Sequence, residues 1–383
     1  MKITKILFCC LLIQSGSSFA TNSPTVGSYP LFPEDGSQKI TKWYYSEKEL
    51  PYLYQNNEWD EVLEAFEKED IIPINTKIGS FFQDLGFFDT KGNLLVQHFP
   101  LNYQNDDNRY EAYFKGFTQE IFVQVDYGQA PIVNFLSSED LKAFDVKSRT
   151  LKDTFIEGGA SISGKFANGE DYLLVNHSAY LGLKTYFQDR YGEKITELEI
   201  KKKIESDLNL KTGNFIVLVG TSHIHLDTFM KALPNGNLII DAPTEKIALL
   251  EKLYRETQNP EILNYLDVEK SKTNVFYRNA IKKTKKILEK RFKIKDIPGV
   301  FSRKIKMNGS FWETKDINFF NGVSGKNNSG DSFFITNAAV DVSELEDFWQ
   351  KNLESYGFSK NHVHFVGRYK GNAGLDCMGS PSP

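Results

Sequence analysis

From Ile71 to the C-terminus the chain alternates short apolar runs with amphipathic stretches, and no Pro/Gly-rich or low-complexity tract divides it after residue 45. That alternation predicts an α/β architecture with one continuous core. Strand candidates are Gly92 to Phe99, Glu120 to Val125, Asp171 to Asn176, Phe215 to Gly220, Leu238 to Ala242, Phe333 to Val340 and His362 to Tyr369. Helix candidates are Ser46 to Asp70, Leu183 to Asp189 extending through Thr196 to Asp207, Glu245 to Thr257, Asn279 to Phe292 and Val342 to Tyr356. The basic run Lys282 to Arg291 keeps Ile281, Ile287 and Leu288 to one side, the pattern of a solvated helix.

Ahead of this body lie two shorter stretches. Residues 1–20 place Lys2 and Lys5 before the apolar run Ile6 to Ile13 and end on Ser18-Phe19-Ala20, the layout of a cleavable secretory signal. The bulky Ile6-Leu7-Phe8 ahead of Cys9 and Cys10 argues against lipoprotein processing. Residues 21–45, rich in Ser, Thr, Pro and Gly, read as an extended lead-in, and residues 46–383 as a single domain. The expected product is an exported protein, periplasmic or secreted, with no membrane association after signal cleavage. Its charge of −4, or −6 once Lys2 and Lys5 are lost, offers no electrostatic footprint for nucleic acid and suits a cationic small substrate.

Of three cysteines only Cys377 lies beyond the signal, so the remaining chain of about 360 residues can form no internal disulfide. A lone thiol in an oxidising compartment is either a buried structural group or a reactive one. Its surroundings, Gly371-Asn372-Ala373-Gly374-Leu375-Asp376-Cys377-Met378-Gly379-Ser380-Pro381, form a glycine-rich loop. A second candidate segment, Thr221-Ser222-His223-Ile224-His225-Leu226-Asp227, follows the apolar strand Phe215 to Gly220. If extended, it turns His223, His225 and Asp227 to one face. Three readings stay open: a zinc or iron site, a general acid/base histidine beside a carboxylate, or ordinary polar positions at a strand end. Hydrolases with an H-x-H-x-D metal pattern normally place another histidine after the aspartate, and here that residue is Thr228; His98 and His177 add no ligand-like spacing, and His362 and His364 form a separate H-x-H.

Two carboxylates complete the set. Asp84 sits among aromatics in Phe81-Phe82-Gln83-Asp84-Leu85-Gly86-Phe87, a costly place for an unpaired charge. Glu157 precedes Gly158-Gly159, where backbone can approach a ligand closely. In chain order, Asp84, Glu157-Gly158-Gly159, His225-Leu226-Asp227-Thr228 and a C-terminal Cys377-Met378 with a following Ser-Pro resemble the pentein superfamily of guanidine-modifying enzymes: arginine, agmatine and peptidylarginine deiminases and amidinotransferases. Gln83 and Ala160 depart from the Arg and the Asp or Asn frequent at those places in the family.

The resemblance implies an α/β propeller of five ββαβ-type units around a pseudo-fivefold axis. It also implies an exported guanidino-compound hydrolase of the deiminase type, acting on a small-molecule or peptidyl substrate. Cys377 would be the nucleophile, His225 the acid/base, Glu157 the group that orients His225 or takes a guanidinium N–H, and Asp84 and Asp227 the substrate-binding carboxylates. Such a scheme requires no metal and no organic cofactor. Transfer of the amidino group to an amine at the same Cys/His site is the alternative reaction, and a metal-dependent hydrolase on the H-x-H-x-D segment is the third. Arg109, Arg149, Arg190, Arg255, Arg278 and Arg368 are unranked candidates for anchoring the far end of the substrate.

Overall fold

A computed structural model describes residues 29–45, 58–76, 83, 86–97, 146–156, 158–219, 225–271, 275–307, 310–339, 341–367 and 375–383. In chain order these form β1 (Lys42–Tyr45), α1 (Glu58–Lys68), β2 (Ile72–Asn75), β3 (Gly86–Phe88), β4 (Leu94–Val96), β5 (Ser148–Thr150), β6 (Ser161–Lys165), β7 (Asp171–Asn176), α2 (His177–Tyr191), α3 (Glu197–Asp207) and β8 (Phe215–Leu218). Then come β9 (Met230–Leu233), β10 (Asn237–Ile240), α4 (Lys246–Thr257), α5 (Pro260–Ser271), α6 (Val275–Leu288) and β11 (Lys293–Asp296). The chain closes with β12 (Val300–Met307), β13 (Ser310–Asn318), β14 (Val323–Lys326), β15 (Ser332–Asn337), α7 (Ser343–Glu354), β16 (Val363–Val366), a helical turn Leu375–Met378 and β17 (Gly379–Ser382). The signal candidate at residues 1–20 and the strand candidate Glu120 to Val125 lie outside the described residues.

Among the described residues, five three-stranded sheets share one pattern: β17-β1-β2, β3-β4-β5, β6-β7-β8, β9-β10-β11 and β14-β15-β16. In each, the central strand runs antiparallel to one neighbour and parallel to the other. Parallel neighbours need a crossover. In four of the sheets the described part of the crossover carries helices: α1, α2 with α3, α4 to α6, and α7. A two-stranded hairpin, β12-β13, stands apart. The second half of the 21–45 lead-in enters the packed body: Leu31, Phe32 and Ile40 are buried, and β1 is the middle strand that joins β2 to the C-terminal β17.

Local chemistry explains the element ends. The stretch expected as one helix from Leu183 to Asp207 is broken into two, because Gly192 adopts φ +94° at the end of α2 and Thr196 opens α3 with a reciprocal capping box to Glu199. Pro260, a breaker inside a helix, instead begins α5, where its missing N–H costs nothing. Asn235 and Gly236, both at positive φ, make the tight turn between β9 and β10. The basic run Lys282 to Arg291 behaves as expected of a solvated helix: Ile281 and Leu288 are buried in an apolar cluster with Phe229, Met230 and Phe292. A second cluster surrounds Trp349, stacked on Phe319 at 5.3 Å, and the largest links Trp43, Phe66, Phe155, Ile156 and Leu375. Among the described residues no helix is long and apolar enough to cross a membrane.

Candidate active site

The segment that leads into Glu157 is held from two directions. The Asp207 carboxylate accepts the backbone N–H groups of Lys152, Asp153 and Thr154 at 2.9, 3.0 and 3.0 Å. The Gln97 amide, just past β4, donates to Ile156 O at 2.6 Å and accepts from Ile156 N–H. Two residues after Ile156 the chain enters a 3₁₀ turn, Gly158–Ala160, buried throughout. Its two glycines are required by packing: a Cβ on Gly158 would lie 2.2 Å from Gln83 Cγ, and one on Gly159 would lie 2.4 Å from His225 Nδ1. The Gly158-Gly159 backbone therefore lies close against protein side chains. It brings the neighbour of Asp84 and the acid/base candidate against the same turn.

From His225 onward the H-x-H-x-D segment is not an extended strand. Leu226–Thr228 forms a 3₁₀ turn with His225 at its N-cap, and the Thr228 hydroxyl donates to His225 O at 2.6 Å. A turn replaces the strand because the Thr228 backbone N–H also bonds His225 O, at 3.3 Å, which reverses the chain into β9. His225 and Asp227 thus leave the single strand face that the spacing predicts. The turn tucks Asp227 inward: it is 0% exposed and accepts the Asn321 side-chain amide at 3.1 Å.

Asn321 reaches further. Its Oδ1 accepts the backbone N–H of Asp376 at 3.0 Å, which links the His225-Leu226-Asp227 turn to the Leu375–Met378 turn that carries the Cys377 backbone. The Asp376 carboxylate is in turn bound by Lys231 Nζ at 2.8 Å, with Lys231 2% and Asp376 5% exposed. Glu34 also faces this pair. Burial, and then the Asp376 charge, push its carboxyl up to about 7, against the opposing pull of Lys231 and of Ser163, whose N–H it accepts.

The structure therefore brings together His225, Asp227, the Gly158-Gly159 turn, Gln83 and the Asp376-Cys377 backbone. Asp84, Glu157 and His223 lie outside the described residues. The other H-x-H is engaged elsewhere: His362 Nδ1 and His364 Nε2 sit 3.0 and 2.5 Å from the buried Glu69 carboxylate, which also accepts from Asn327 at 2.9 Å. Of the arginine anchors considered, Arg149 binds Asp207 and Arg190 binds Asp153; Arg255 and Arg278 are exposed on α4 and α6, and Arg109 and Arg368 lie outside the described residues. Gln97, Asn321 and Lys231 escaped the sequence reading. The available signal was polarity out of place, as with Asn321 after Phe319-Phe320 and Lys231 inside the apolar strand Met230–Leu233.

By sequence the chain matches no family model and no curated protein. By structure it is similar to the agmatine deiminase of Enterococcus faecalis, with a TM-score of 0.53 and 11% identity over 93% of this chain and 96% of that one. It is similar also to a structural-genomics target provisionally described as an agmatine deiminase, with a TM-score of 0.54 and 12% identity over 93% and 96%. At such identity the likeness establishes a shared fold.

Proposed function

We propose that this chain, which has the fold of the pentein guanidine-modifying enzymes, is a hydrolase that deiminates a guanidino compound through Cys377. The observation that carries the reading is one arrangement: the Gly158-Gly159 turn touches His225 and Gln83, while Asn321 ties Asp227 to the residue before Cys377. Residues far apart in sequence, chosen for their chemistry, are thereby neighbours. The five like sheets are read as ββαβ units set around one axis, with residues 46–383 as the catalytic domain, 21–45 as its lead-in and 1–20 as a cleaved export signal.

A guanidinium is planar, cationic and weakly electrophilic. Asp84 and Asp227 would fix its plane by charge-assisted hydrogen bonds, leaving the central carbon open to attack. The Cys377 thiolate bonds to that carbon, giving a tetrahedral adduct. His225 gives a proton to one nitrogen as its C–N bond breaks and ammonia departs, and a covalent thiouronium remains on sulfur. The same imidazole then takes a proton from water as the water oxygen adds to the carbon. Collapse breaks the C–S bond, returns the thiolate and passes the added hydroxyl's proton to solvent, where ammonia becomes ammonium, and the neutral ureido product leaves. Glu157 would orient His225 or accept another guanidinium N–H.

The test is a panel of agmatine, arginine and an arginine-containing peptide, assayed for ammonia and ureido product together. Hydrolysis predicts equal amounts of both from at least one compound, with no requirement for an amine acceptor. Turnover that needs an added amine and releases no ammonia would replace hydrolysis by amidino transfer. Silence across the panel, with and without acceptors, would sink the assignment.

A further inference from the structure

A carboxylate directly before a nucleophilic cysteine is a poor choice taken alone, because a negative charge beside a thiol favours its protonated, unreactive form. Asp376 occupies that place, yet it is not left alone. Its carboxylate meets Lys231 Nζ from β9 at 2.8 Å, and its backbone N–H meets Asn321 Oδ1 from the loop after β13 at 3.0 Å. All three residues are almost fully buried. The Leu375–Met378 turn spans four residues, too few for helical hydrogen bonding to hold it in place. Its position is set by what anchors it, and one of these two contacts comes from strand β9 and the other from the loop between β13 and β14.

A buried ion pair is seldom the most stabilising filling for such a space, since desolvating both charges offsets most of their attraction. What the pair does supply is a fixed cation beside the one carboxylate that flanks Cys377. Among the described residues, the charged groups that face Asp376 are Lys231 and, from the N-terminal segment, Glu34.

We propose that Lys231 and Asn321 are positioning residues for the nucleophile: Lys231 neutralises and ties down the Asp376 carboxylate, and Asn321 holds the same residue by its backbone while it holds Asp227. The inference rests on Cys377 being the nucleophile. Its test nevertheless reads the thiol without requiring turnover.

The rate of carbamidomethylation of Cys377 by iodoacetamide is followed by intact mass from pH 5 to 10, in the wild type, in Lys231→Met and in Asp376→Asn. Removing the cation leaves the carboxylate of the residue before Cys377 uncompensated, so the Lys231→Met midpoint moves up by about one pH unit. Removing the carboxylate leaves the cation, so the Asp376→Asn midpoint moves down. A role confined to packing moves both midpoints the same way or neither. Where a guanidino substrate is in hand, Lys231→Met also lowers kcat at least tenfold with KM changed less than threefold. Glu34 remains to balance Lys231 in Asp376→Asn, so this variant answers the question even where Lys231→Met does not accumulate as folded protein: a midpoint unchanged or raised in it overturns the proposal. Midpoints that move in opposite directions, in a chain inert to every guanidine, uphold the pairing while removing the enzymatic reading.

Discussion

Gly159→Ala is expected to lower kcat by about 10²- to 10⁴-fold, the range for losing a positioned general acid/base, while the protein stays folded. The added methyl would lie 2.4 Å from His225 Nδ1, 3.0 Å from Cγ and 3.1 Å from Cε1. Contacts that short force something to move. The His225 backbone is held through its carbonyl by Thr228, so the imidazole ring swings aside. Because both changes remove one function, Gly159→Ala and His225→Ala combined should be no slower than His225→Ala by itself. Steady-state kinetics on the four proteins, with circular dichroism to verify folding, decide the matter. A Gly159→Ala enzyme within threefold of wild type would mean that the ring is not needed where it lies.

The second large effect is on stability. Folded Glu34 keeps its proton up to about pH 7, whereas an ordinary glutamate releases it near 4.5. Between those values the folded state binds more protons than the unfolded one, so stability falls as pH climbs through the window. Below 4.5 the group is neutral in both states and contributes nothing; above 7 the whole penalty applies. The full difference corresponds to about 3 kcal/mol. Because Glu34 keeps some exposed surface, on the order of 2 kcal/mol is the expected measured effect. Glu34→Gln, near-isosteric and never charged, should therefore match the wild type in urea midpoint at pH 4 and exceed it at pH 8 by that amount. An offset equal at both pH values would show that burial of the charge is not its cause.

Much of the frame was legible beforehand. Asp171 to Asn176 is a strand as expected, and α3, α4 and α7 lie where periodicity and caps placed them, to within a residue or two. Signals that act within a few residues, such as the Thr196 capping box, can be read from one sequence. The β12-β13 hairpin was missed because its strands are studded with lysines and polar residues, so its alternation resembled a loop. The His225-Asp227 segment, which shares one face only if extended, was open for a different reason: histidine and aspartate types fit a strand end and a turn equally, and the Thr228 hydrogen bonds to His225 O decide for the turn.

The supporting shell of the site was out of reach for a simpler cause. Lys231 and Asp376 are 145 positions apart, and Asn321 stands 94 from Asp227. No local pattern tells a lysine in one strand which carboxylate it will meet. The chemistry-bearing residues could be chosen by type and order, whereas their supports required coordinates.

Cys377 carries the proposed chemistry most directly. Turnover of the substrate identified by the panel is quenched in acid, and the wild type and Cys377→Ala are compared by peptide mass spectrometry and by product formed. The prediction is an added mass on the Cys377 peptide of the wild type and, in Cys377→Ala, neither adduct nor product above about a thousandth of the wild-type rate. Product formed by Cys377→Ala at more than a tenth of the wild-type rate would contradict it.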